Sequence, residues 1–198
     1  MVFRLVKTRR GQPSLAGCRA LVVVACLCFG LSALALGQQP QPPTLLDAAR
    51  AGDVPAVAAL LEAGADIEQT DARGSTPLIL AAYYGHADLV TFLLKHKANP
   101  NAADKLGNTV LMAAGFKGHL GIAQELLAHG AEVNAVNAND ATALMFAALF
   151  NRLPIAELLL EKGATVNLAD KNGQTALTLA LGQGHDDMVA LLRRYGAP

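Results

Sequence analysis

Thiols are missing from almost the whole chain: Cys18, Cys26 and Cys28 are its three cysteines, and nothing after residue 28 carries another. A domain built from that remainder contains no disulfide, no zinc–thiolate site and no cysteine nucleophile. It must fold on packing alone, which a body of about 160 residues can do. Asn-x-Ser/Thr acceptors are also missing from this part of the sequence. So are a glycine-rich phosphate loop, a nucleophile–base constellation and a pair of acids set apart in a cleft. These absences exclude the common enzyme classes, and neither a cofactor nor a metal is expected. An excess of positive charge is lacking too. The 16 Lys and Arg balance 16 Asp and Glu, but the ends differ: Arg4, Lys7, Arg9, Arg10 and Arg19 stand before residue 37 with no acid among them. The rest therefore holds 11 cations against 16 acids. A mildly acidic body offers no footprint for phosphate backbones, so nucleic acid is not expected as a partner.

What is present at the amino terminus reads as a targeting segment. Five basic residues lead into Ala20–Gly37, which has no charge. Ala35-Leu36-Gly37 places small residues where a signal peptidase reads them. The apolar stretch also reaches the ~18 residues at which a membrane-spanning reading opens. Residues 1–37 are expected to be a cleaved signal peptide or an uncleaved anchor, the only route to a membrane. In both cases the basic end stays cytoplasmic and the rest is exported. Leu15-Ala16-Gly17-Cys18 is set aside as a lipoprotein box because its cysteine precedes the apolar stretch. Thr8-Arg9-Arg10 is set aside as a twin-arginine signal because Gly11-Gln12-Pro13 follows it. Export without disulfides or glycosylation acceptors points to a bacterial periplasm, or to an inner-membrane anchor facing it. Gln38–Pro43 is a short proline-rich linker with no helix-forming capacity.

From Asp71 the chain repeats every 33 residues. Asp71-Ala-Arg-Gly74-Ser-Thr76-Pro77-Leu78 returns as Asp104-Lys-Leu-Gly107-Asn-Thr109-Val-Leu111, as Asn137-Ala-Asn-Asp140-Ala-Thr142-Ala-Leu144, and as Asp170-Lys-Asn-Gly173-Gln-Thr175-Ala-Leu177. A period of this length means stacked supersecondary units that bury one another's apolar faces. Each copy predicts two short helices. The hydroxyl of Thr76 can cap the first, and Pro77 fits its first turn. Leu78, Leu80, Ala81 and Ala82 supply an apolar face, and Gly85 ends it. The second helix runs through Leu89, Val90, Phe92, Leu93 and Leu94 at helical spacing. Asn101, Asn134 and Asn167 recur in the following turns.

Gly-x-Thr-Pro-Leu, Ala-Ala-x-x-Gly-His, Leu-Leu-x-x-Gly-Ala and the recurrent asparagine together make this chain resemble the ankyrin repeat proteins, over about residues 43–198. The resemblance implies an all-α solenoid of helix-turn-helix units with β-hairpin-like loops, about five repeats. These are expected near 38–70, 71–103, 104–136, 137–169 and 170–198 within a domain spanning 44–198. The copies near the ends, with Asp47, Arg50 and Asp53 at one and Leu192-Arg193-Arg194-Tyr195 at the other, read as polar caps. Ile79, Met112, Met145 and Thr178 replace the histidine that commonly follows Thr-Pro-Leu, which puts its hydrogen-bond linkage in doubt. Lys97 takes a left-handed glycine position, a strain of roughly 1–2 kcal/mol if that geometry is kept. Asp140 and Asn151 replace turn glycines more cheaply.

Family members mostly bind other proteins through hairpin tips and the concave helical face. The resemblance carries the groove onto the residues before the inter-helix glycine: Tyr83, Tyr84, Phe116, Lys117, Leu149 and Phe150. Its edge falls on the tips Arg73, Ser75, Leu106, Asn108, Asn139 and Gln174. Clustered aromatics of this kind anchor partners, whereas Phe92 and Phe146 are assigned to the core. His86, His119 and His185, with His96 and His129, recur with the period. Equivalent residues on adjacent helices stand about 8–10 Å apart, too far to share a metal at ~2.0–2.1 Å. The expected protein is a monomeric, non-catalytic interaction module for a protein or peptide. The alternative is an accessory factor in an envelope process, such as oxidative-stress protection or toxin neutralisation.

Overall fold

A computed structural model describes residues 43–198. The candidate leader at 1–37, its cysteines and all but the last residue of the linker at 38–43 lie outside the described residues. Within them the chain forms ten helices in five pairs: α1 (Leu45–Ala51) with α2 (Val54–Glu62), α3 (Pro77–Tyr84) with α4 (Ala87–Lys95), α5 (Val110–Lys117) with α6 (Leu120–Ala128), α7 (Ala143–Leu149) with α8 (Leu153–Glu161), and α9 (Ala176–Gln183) with α10 (Asp186–Arg194). First helices pack on the first helices of neighbouring pairs, and second helices on second helices. No helix among the described residues is long and apolar enough to cross a membrane.

Each first helix begins for the same reason. Thr44, Thr76, Thr109, Thr142 and Thr175 stand in extended backbone, and each hydroxyl accepts the N–H three residues on. One otherwise unpaired donor per helix is satisfied in this way. Pro55, Pro77 and Pro154 fall within first turns, where no backbone N–H is needed. Four first helices end on a left-handed glycine, Gly52, Gly85, Gly118 or Gly184. In α7 the helix stops at Leu149 and Asn151 takes the positive φ instead. Lys97, Asp140 and Asn151 are the non-glycine residues with positive φ among those described, so the strained positions expected from the repeat register keep that geometry.

The core follows the period. Leu78, Leu111, Leu144 and Leu177 open the first helices and are all buried, as are Leu93, Leu126, Leu159 and Leu192 in the second. Ala81, Ala82, Ala114, Ala147, Ala148 and Ala180 are fully buried. Side chains this small let the first helices approach closely. The last pair keeps Leu191 and Leu192 inside while Arg193 and Arg194 face water, as a polar end unit requires.

Three sets of polar contacts tie the copies together. At the hairpins, Lys105 N–H donates to the Arg73 carbonyl at 2.9 Å, Ala138 N–H to Leu106 at 2.8 Å, and Lys171 N–H to Asn139 at 3.0 Å. Gly74 permits this approach: with φ at +84, an added Cβ would lie 2.8 Å from the Lys105 nitrogen. Between second helices the recurrent asparagines form a ladder. The Asn101, Asn134 and Asn167 amides donate to the carbonyls of Gly130, Gly163 and Gly196, and the Asn101 and Asn134 oxygens accept from Glu132 and Thr165 N–H. At the inter-helix turns His86 and His185 place Nε2 at 2.9 and 3.2 Å from the carbonyls of Arg50 and Leu149. Arg152, where a histidine stands in other copies, donates its Nε to the Phe116 carbonyl at 3.3 Å. These histidines and this arginine bridge from one copy to the helix end of the copy before it. His96 and His129 instead turn Nδ1 onto the Phe92 and Glu125 carbonyls of their own helices.

Candidate functional site

The hairpins and the exposed sides of α1, α3, α5 and α7 enclose an open cavity of about 740 Å³. Its volume falls in the range of ligand-binding clefts. Helical register builds its floor. Tyr83 and Phe116 hold the same place in successive copies, as do Tyr84, Lys117 and Phe150, so the stack brings side chains far apart in sequence into adjacent columns. The Tyr83 and Phe116 rings are nearly parallel with centroids 6.1 Å apart. Phe150 meets Phe116 edge-on at 4.5 Å, and Tyr84 meets Tyr83 edge-on at 5.3 Å. Lys117 Nζ sits 4.2 Å from the Tyr83 ring centre, a cation–π placement. A continuous aromatic strip therefore crosses three copies. Tyr83 and Tyr84 remain 37% and 51% exposed and Phe150 37%, much for rings that core packing would have covered.

The structure places the expected groove residues unevenly. Tyr83, Tyr84, Phe116, Arg73, Ser75 and Asn108 line the cavity. Lys117 and Phe150 flank it through their contacts with Tyr83 and Phe116. Leu149 is half-buried, and its carbonyl faces His185. Leu106, at 64% exposed, stands on an outer tip, and Asn139 and Gln174 are exposed on tips further along, all outside the cavity lining. Ser75 is buried and Asn108 half-buried. The Ser75 N–H is held by Asp71, and the Asn108 side chain lies between Asp104 and Asn137. Their first role is to shape the hairpins.

Phe146, expected in the core, is half-buried and packs against it, and it also lines the cavity and meets Phe116 edge-on at 6.5 Å. Its column holds Leu80 and Ala113 in the preceding copies, and both of these line the cavity too. Phe92 packs against the core as expected, with the His96 ring 4.1 Å away. Ile79 and Met112, noted in the sequence only for replacing a histidine, also line the cavity. The replaced linkage is re-formed differently: Thr178 Oγ1 accepts Thr175 N–H at 2.8 Å, and Met112 Sδ accepts Thr109 N–H at 3.4 Å.

Electrostatics at the site are set by carboxylates that bond inward. Asp71 Oδ1 accepts the Arg73 and Ser75 N–H groups, each at 2.9 Å, and Oδ2 accepts Arg50 at 2.9 Å. Burial alone would raise the Asp71 pKa, but the Ser75 and Arg73 N–H bonds and the Arg50 guanidinium outweigh it and hold the carboxyl below its ordinary value. Asp104 repeats the pattern with Leu106, Asn108 N–H and the Asn108 amide. The hairpins and first helices of residues 43–198 carry five cations and five acids, whereas the second helices, with the turns before and the loops after them, carry six and eleven. The whole negative excess thus lies away from the cavity. Among the described residues, no three His, Cys, Asp or Glu side chains converge as a metal site.

Comparison with protein families matches the model described as ankyrin repeats (3 copies) to residues 45–137 and 132–198. A search of curated proteins returned no match.

Proposed function

The chain belongs to the ankyrin repeat family, whose members are in general protein–protein interaction modules, and we propose that this one is exported and holds a single protein or peptide partner in the cavity over α3, α5 and α7. One observation carries the reading. Tyr83, Tyr84 and Phe150 remain exposed beside a 740 Å³ cavity, although the first two sit on a helix, and the third directly after one, whose other side is fully buried. Large rigid rings held at low entropic cost are what partner anchors are made of. A catalytic role has no support from the site, where both carboxylates, Asp71 and Asp104, are engaged in hairpin bonds.

The experiment is partner capture by cross-linking with the full chain, followed by Tyr83→Ala combined with Phe150→Ala. Loss of the captured partner is expected, and retention of every partner by the folded double variant would place the binding surface elsewhere. Export rests on the basic residues and the uncharged Ala20–Gly37 stretch. Fractionation and intact mass test it: a product beginning near Gln38 in the exported fraction is expected, and a cytoplasmic product would overturn it. A Met1-containing product in the membrane fraction would mean an anchor.

A further inference from the structure

The hydrogen-bonding character of the cavity is weighted toward donors. Its two lining carboxylates, Asp71 and Asp104, have both oxygens engaged by neighbouring N–H groups, Arg50 or Asn108. Asn108 is engaged at both ends, its amide on Asp104 and its oxygen on Asn137. The donors are in the opposite condition. Tyr83, Tyr84 and Arg73 line the cavity, and neither hydroxyl nor the guanidinium has a hydrogen-bond partner among the described residues; the guanidinium can only donate, while each phenol can donate or accept. Lys117 lies over the Tyr83 ring and has no carboxylate partner. The charges that line the cavity balance, Arg50 and Arg73 against Asp71 and Asp104, and Lys117 at its edge adds a single positive charge.

From this we infer that the partner segment is a proline-rich stretch in the polyproline II conformation. The inference rests on the reading of the cavity as a partner site. An ordinary extended strand brings as many N–H groups as carbonyls, and the carboxylates that could receive those N–H groups already carry three bonds each; peptide donors beyond what the two phenol oxygens accept would lose their water without compensation. Proline has no N–H to lose. A polyproline II segment presents unpaired carbonyls around an apolar ring surface, which suits phenol and guanidinium donors beside an aromatic strip. A strongly basic segment is opposed by Lys117, and a strongly acidic one gains only that single net charge.

The test uses the full chain and a labelled peptide of repeated Ala-Pro-Pro triplets, read by fluorescence anisotropy. Gly-Ser and Asp-Phe peptides of equal length serve as comparisons. The expected result is binding of the Ala-Pro-Pro peptide at least about tenfold tighter than either comparison. It should hold within about twofold across salt concentrations that abolish charge-driven binding. Tyr83→Ala and Phe116→Ala should each weaken it about tenfold or more. Tyr83→Phe with Tyr84→Phe keeps the rings and removes only the donors, and should weaken it about three- to tenfold, with circular dichroism showing an intact fold. Preference for the Asp-Phe peptide, equal affinity for all three, or indifference to the paired Phe substitutions would overturn the inference. Selection of random displayed peptides on the same chain separates the two levels. Peptides that need Tyr83 and Phe116 but lack proline would overturn the proline assignment and leave the cavity as a partner site, whereas failure to recover any peptide needing those rings would overturn both.

Discussion

At the residue scale, positions that break the repeat are the most informative about stability. Lys97 holds φ at +70, where other copies place Gly64, Gly130, Gly163 and Gly196. A Cβ in that region is crowded by about 1–2 kcal/mol. Lys97→Gly should therefore stabilise the chain by about 1 kcal/mol and raise the melting temperature by about 2–4 °C for a domain of this size, measured by thermal denaturation. Asp71 makes the opposite case. Its folded pKa is depressed, so its contribution is full above the ordinary carboxylate range and is lost as pH falls through the folded value. Asp71→Asn keeps the Oδ1 acceptor, as Asn137 does at the same place two copies on, but gives up the charge facing Arg50. Because Arg50 is 37% exposed, the cost should be only about 1 kcal/mol near neutral pH. It should shrink as pH is taken below the ordinary carboxylate range and vanish only below the folded value, when urea midpoints of variant and parent are compared at neutral and acid pH. A difference that grew on acidification would contradict the assignment.

At the element scale, the copies are joined by backbone and amide bonds that leave little trace in hydrophobic patterning. Asn134 donates to Gly163 and accepts from Thr165, so Asn134→Ala should cost about 1–2 kcal/mol for the two bonds. Asn139 is also an exposed asparagine, but its side chain has no bond among those described. Asn139→Ala should stay within about 0.5 kcal/mol. Urea unfolding with an unchanged slope separates the two. Helix ends give a second test. Gly85 closes α3 at φ +85, and a Cβ there would lie 2.7 Å from the His119 ring. Gly85→Ala should cost about 2 kcal/mol, from left-handed strain together with the displaced imidazole, again read from the urea midpoint.

Considered whole, the molecule is a row of units, each stabilised mainly by its neighbours. Leu144 is buried in the fourth pair, with first helices packed on both sides of its own. Leu144→Ala should cost about 2–5 kcal/mol. Because coupling passes only between neighbours, it should also lower hydrogen-exchange protection in α5 and α9 more than in α1. Uniform loss of protection along the chain would instead indicate a single cooperative block. Charge distribution is a property of the same scale: the negative excess gathers on the second helices and loops and leaves the cavity side neutral.

Most of this architecture was legible because identical residues at identical spacing must adopt identical local structure. Thr76, Thr109, Thr142 and Thr175 announce the first helices, the leucines 33 residues apart announce the core, and the glycine positions hold their left-handed geometry even where Lys97 or Asn151 occupies them. The aromatic columns of Tyr83, Phe116 and Phe150 were legible for the same reason. The place of Phe146 on the cavity wall was not, because it depends on which rings of the preceding copy, Phe116 among them, stand beside it. Nor was the engagement of Asp71 and Asp104, whose carboxylates look free in the sequence and are closed inward by hairpin geometry. By itself the sequence determined the unit and its register, since capping, turn chemistry and apolar spacing act within a few residues. Only the tertiary structure decided which side chains stay open to a partner, because exposure and the occupation of hydrogen-bonding groups are set by contacts between copies.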